Sequence, residues 1–138
     1  ALASELRQGS RRMGAALLGV HEWLQTPNAA SYRARVLADR VPGHLAVVQG
    51  LMWCGIGLDL EAALTIGAHG FCVALVGAAL RLGMIGHLEG QRLLTRLRGL
   101  IAEFGDPLPS LDEISTFAPA CDVAFMRHEV QSGRLFAN

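Results

Sequence analysis

The chain has 138 residues, of which 51% are hydrophobic and 17% charged, with a formal net charge of zero. That length suits a single domain, residues 1–138, and the composition is too apolar for intrinsic disorder. All twelve cations are arginine, which excludes lysine-dependent phosphate loops, Schiff bases and Ser-Lys nucleophiles, while the neutral balance argues against nucleic acid as a partner.

Leu2, Leu6, Met13, Leu17, Val20 and Leu24 recur at helical spacing and predict a first helix that Thr26-Pro27-Asn28 ends. Its periodicity is already under way at the first residue with no cap before it, so the chain reads as cut from something longer. A short helix through Tyr32, Val36 and Leu37 closes before Pro42-Gly43, and His44 to Ile56 forms a third, ended by Gly55 and Gly57. Asp59 is a good N-cap for an apolar helix running to about Leu82. Ala62–Leu80 carries no charge over 19 residues, enough to cross a bilayer. Its alanine and glycine, with Thr65, His69 and no aromatic belt, favour instead the buried central helix of a soluble bundle, and hence no membrane.

Gly83 and Gly86 interrupt that pattern. Leu88–Phe104 resumes it as a basic amphipathic helix with Leu93, Leu94, Leu97, Leu100 and Ile101 inward and Arg92, Arg96 and Glu103 outward. Ser110 and Glu113 have the spacing of a capping box. Pro119 suits the first position of a last helix, where Cys121, Ala124 and His128 share one face and Val123, Met126 and Val130 another. Two apolar faces predict a helix wedged between other elements. It frays near Ser132-Gly133 and leaves a flexible tail, 132–138. No segment alternates with period two, so the fold class is all-α: a compact helical bundle around the central apolar helix.

No catalytic constellation is present. Gly55-Ile56-Gly57 lacks the third glycine of a dinucleotide fingerprint, the serines sit in no nucleophile elbow, and the carboxylates form no pair. Cys54, Cys72 and Cys121 are odd in number, form no C-x-x-C, and read as small core residues of a cytoplasmic protein. His69 and Cys72 lie one helical turn apart, which gives the alternative function, a small helical metal-binding protein. Two ligands do not complete a site, so no metal is assigned.

Two features point to partners. Arg127-His128-Glu129 on the wedged helix needs either internal ion pairing or an interface, because unpaired burial is costly. Arg134-Leu135-Phe136 exposes two large apolar groups unless the tail docks back or is bound by another protein. Charge is also segregated: residues 81–100 hold four arginines against Glu89, and 101–138 hold six carboxylates against Arg127 and Arg134.

The ending Phe117-Ala118-Pro119-Ala120, Asp122, Arg127-His128-Glu129 and Arg134-Leu135-Phe136 resembles the carboxy terminus of the urease accessory protein UreF family. Gly90-Gln91-Arg92, Pro42-Gly43-His44 with Val47, Val48 and Gly50, and Arg12-Met13-Gly14 resemble earlier segments of that family in the same order. The family's amino-terminal Leu-Pro-x-Gly-Gly-Phe segment is absent, in keeping with an amino-terminally truncated chain. The resemblance implies a cytoplasmic, non-enzymatic, cofactor-free adaptor, commonly a homodimer, that bridges the UreD (UreH) scaffold and the UreG GTPase to deliver nickel to apo-urease. It makes Arg134, Leu135 and Phe136 candidates for the scaffold contact, with Phe136 as anchor. Arg127, His128 and Glu129 become supports of the last helix and its contacts, and Gly90 and Gln91 weaker candidates for partner binding.

Overall fold

A computed structural model describes residues 4–103, 110–113 and 119–129. The described residues are helical and contain no strand: α1 (Ser4–Trp23), α2 (Ala29–Leu37), α3 (Leu45–Gly55), α4 (Leu60–Arg81), α5 (His87–Glu103), a single 3-10 turn (Leu111–Glu113) and α6 (Pro119–Glu129). The all-α expectation is borne out, and each predicted helix is found within a few residues of its predicted limits.

Local chemistry sets those limits. Helices α1, α2 and α4 end alike, with a residue in the left-handed region at Gln25 (φ 57°), Asp39 (φ 53°) and Gly83 (φ 68°). In each, the next N–H reaches back to the last turn: Thr26 to the His21 carbonyl, Arg40 to Arg35, and Met84 to Ala79. Only Gly83 takes that turn without steric cost. Asp59 caps α4 by accepting a hydrogen bond from the Ala62 N–H at 2.8 Å. Replacing Asp59 by Ala is expected to cost about 1 kcal/mol, read as a lower urea midpoint by far-UV circular dichroism. Half of the Ser110–Glu113 box forms, at a 3-10 turn, where the Glu113 N–H donates to the Ser110 carbonyl rather than to its hydroxyl. The Ser110 N–H donates to Glu113 Oε2 at 2.8 Å, and this bond, with one from the Ser110 side chain, holds the Glu113 carboxyl below its usual pKa.

The chain divides into two compact units, one containing α1, α2, α3 and α6, the other α4, α5 and the 3-10 turn. In the first, α1 packs against both α2 and α3. Leu18, Ala29, Val48 and Met52 form its buried centre, with Leu17, Tyr32, Val36 and Leu51 partly buried around them. In the second, α4 packs along α5, where Val76 and Ile101 are buried.

Several burial expectations are not met. Helix α4 is not enclosed: Val76 is its one buried residue, while Leu60, Ile66, Phe71, Val73 and Leu75 are exposed. Apolar residues cover α4 on all sides, so a single neighbouring helix hides only one of them. It is also the one helix among the described residues long and apolar enough to cross a membrane. On α5, Ile101 is buried and Leu94 and Leu97 are half-buried, but Leu93 and Leu100 are exposed because α4 covers a narrower stripe than the leucines occupy. Helix α6 is not wedged: Pro119–Cys121 and Val123–Arg127 are all exposed, since none of the close helix pairings among the described residues involves α6. Nor are the cysteines core residues. Cys54 and Cys121 are exposed and Cys72 is half-buried; Cys54 sits two residues past Met52, on the far side of α3 from the core.

Candidate partner-binding surfaces

The first unit is organised where α1 meets the segment between α2 and α3. Gly14 is buried there, and a Cβ on it would collide with the Gly43 carbonyl oxygen, so the two backbones touch. Gly43 has φ +65°, and the Val36 methyls lie within 3.0 Å of where its own side chain would begin. On either side of this contact, Ser10 Oγ accepts from the Leu45 N–H at 3.1 Å and Arg11 Nε donates to the Pro42 carbonyl at 3.0 Å. Arg11 also approaches Asp39 at 3.4 Å, an exposed pair worth little by itself. Arg12-Met13-Gly14 and Pro42-Gly43-His44, far apart in sequence, are thus one structural feature. His44 occupies the N-cap position of α3 without a side-chain capping bond, and its Nδ1 is buried without a hydrogen-bond partner among the described residues.

The remaining site candidates divide by what covers them. Gly90 is buried in the α4–α5 crossing, with Val76 Cγ1 3.0 Å and Leu80 Cδ1 3.6 Å from where a Cβ would sit. Its lack of a side chain lets the helices approach, so a partner would meet Gln91, which is exposed, and not Gly90 itself. Arg127 is exposed on α6. His128 and Glu129 lie in the last turn of α6, but their side chains are outside the described residues, as are Arg134, Leu135, Phe136 and the whole 132–138 tail. His69 is exposed and Cys72 half-buried, and no group of three metal-ligating side chains occurs among the described residues. The metal alternative therefore finds no third ligand there.

At the α1–α2 corner an open cleft is lined by Glu22, Gln25, Thr26, Asn28, Ala30 and Ser31. Three of its polar side chains already have partners. Glu22 accepts from Arg33 at 2.8 Å, Thr26 shares a hydrogen bond with His21 at 2.9 Å, and Ser31 donates to the Asn28 carbonyl at 3.1 Å. Among the described residues, no nucleophile–base pair or ligand cluster converges on it. What this molecule offers a partner is surface: apolar side chains on α4, α5 and α6, a basic face on α5, and a second apolar group at the α1 end, where Trp23 is 82% exposed and Leu24 55%. Sequence reasoning missed this exposure because periodicity reports which residues are apolar, and not how many neighbours are present to cover them.

Comparison with known proteins places these features. The UreF family profile matches residues 1–98. A urease accessory protein UreF from Arthrobacter sp. (strain FB24) is 30% identical over 138 residues, covering 98% of this chain and 61% of the relative. One from Trichodesmium erythraeum is 31% identical, covering 96% of the chain and 58% of the relative, and one from Roseobacter denitrificans is 37% identical over 92 residues. The chain thus spans about three-fifths of the length of the curated relatives it matches end to end. No solved structure matches it. Both segments clasped at Gly14 and Gly43, and the Gly90 crossing, fall inside the profile's span; α6 and the tail lie beyond it.

Proposed function

The chain belongs to the UreF family, and from that premise we propose that it acts in urease maturation as a non-enzymatic adaptor in the cytoplasm, bridging the UreD (UreH) scaffold and the UreG GTPase so that nickel reaches apo-urease. The relatives carry the name urease accessory protein. The observation that carries the reading here is the exposure of apolar side chains on α4 and α5 of one unit and, separately, on α6 of the other, surfaces that an adaptor covers with partners. Exposed Thr65 and His69 midway along α4 favour a protein partner over lipid. Homodimerisation would cover part of the same surface.

In this proposal the tail makes the scaffold contact, with Phe136 as apolar anchor and Arg134 and Leu135 beside it. Arg127, His128 and Glu129 support the helix that leads into it, and Gln91, held by the Gly90 crossing, marks a second surface. The test is co-purification. The intact chain is expected to retain UreD, and deletion of residues 132–138 to abolish retention while the helical circular dichroism signal persists. Retention by the deleted form would remove the tail from the mechanism, and an intact chain that retains neither UreD nor UreG would overturn the adaptor reading.

A further inference from the structure

On the side of α5 facing away from α4, Arg92 and Arg96 are exposed one helical turn apart and form no hydrogen bond or ion pair among the described residues. Leu88 (76% exposed), Leu93 (42%) and Leu100 (65%) border them. The two acidic residues nearby do not neutralise the pair. Glu89 is turned to the Gly86 N–H at 2.9 Å, and Glu103 lies at the far end of the helix. Two arginines whose Cβ atoms stand about 6 Å apart on a helix, flanked by leucines, suit carboxylates repeated at the same one-turn spacing beside an apolar stripe. Arginine engages each of these carboxylates through two parallel hydrogen bonds. That is the surface of an acidic amphipathic helix.

We propose that this face of α5 is the docking surface for an acidic amphipathic helix on the GTPase partner. The assignment rests on the adaptor reading above. A bridge needs two separate surfaces, the tail is given to the scaffold, and α5 belongs to the other compact unit. Desolvated Arg–carboxylate pairs cost far more when reversed than exposed ones, and they set both specificity and salt dependence.

The experiment measures binding of purified UreG and, separately, UreD to the full chain and to its Arg92→Glu/Arg96→Glu variant, at low and high salt. Charge reversal is expected to weaken GTPase binding at least about tenfold while scaffold binding is unchanged. Binding by the unaltered chain falls with salt, and the variant's residual binding responds less. Arg98→Glu, on the other flank of α5, is expected to leave GTPase binding near its original strength, and Arg92→Gln/Arg96→Gln to weaken it by a smaller factor. Circular dichroism checks that each variant is folded, and the neutral pair decides the matter if the reversed pair is not. Unchanged GTPase binding, or an equal loss with Arg98→Glu, overturns the inference. So does a chain that binds UreD alone, which spares the scaffold half of the adaptor reading; a chain that binds neither overturns both.

Discussion

Replacing Gly14 by Ala is expected to destabilise the first unit by about 2 kcal/mol or more, although Ala is the better helix former. Two effects oppose each other. Alanine in place of an interior helical glycine gains roughly 1 kcal/mol. At this position, however, the added Cβ lands on the Gly43 carbonyl oxygen, with the Leu45 nitrogen 3.2 Å away. Neither obstacle is a side chain that can rotate aside, so α1 and the 42–45 segment must separate, loosening the Ser10–Leu45 and Arg11–Pro42 hydrogen bonds with them. Gly9 and Gly19, on the same helix, have nothing within 4 Å of their Cβ positions. There Gly→Ala is expected to stabilise, by up to about 1 kcal/mol. Urea denaturation of the three variants checks the sign at each site; a stabilised Gly14→Ala protein would show that the backbones do not touch.

Leu18→Ala is expected to cost about 2–5 kcal/mol. Leu18 is 0% exposed at the centre of the cluster with Ala29, Val48 and Met52, so its removal forfeits transfer energy and leaves a cavity that three helices share. The matching change at Val20, two residues along α1 and 54% exposed, is expected to cost less than about 1 kcal/mol. Thermal or chemical denaturation of the pair measures the difference. Equal costs at the two positions would mean that the α1–α3 core is not where the first unit's stability resides.

Much of the fold was legible because its determinants are local. The Asp59 cap, the Gly83 turn, the Ser110–Glu113 box and Pro119 at the head of α6 each act within a few residues, and the helices lie where these signals put them. Burial was not legible to the same degree. In α4 the apolar residues have no strong period, so the pattern does not distinguish a helix enclosed on all sides from one with a single neighbour. The two apolar faces of α6 carried the same ambiguity, and exposure resolved it against the wedge. On α5 the leucine stripe is wider than the contact it makes, which hid the exposure of Leu93 and Leu100. Gly90 was singled out by its motif, but its reason, the approach of Val76 and Leu80, depends on a second helix that the motif does not include. The metal alternative rested on two ligands one turn apart; a third depends on tertiary neighbours, and none stands near His69 and Cys72 among the described residues.

The contact between Gly14 and Gly43 also bears on how this sequence can change over time. A side chain at Gly14 closes the gap from the α1 side, and one at Gly43 strikes Val36 from a backbone conformation that only glycine adopts cheaply. Neither position has room for a side chain, Gly14 because of the backbone at Gly43 and Leu45, and Gly43 because of Val36 and its positive φ. The two short stretches of family likeness there therefore meet at one backbone contact, each glycine held by a different neighbour.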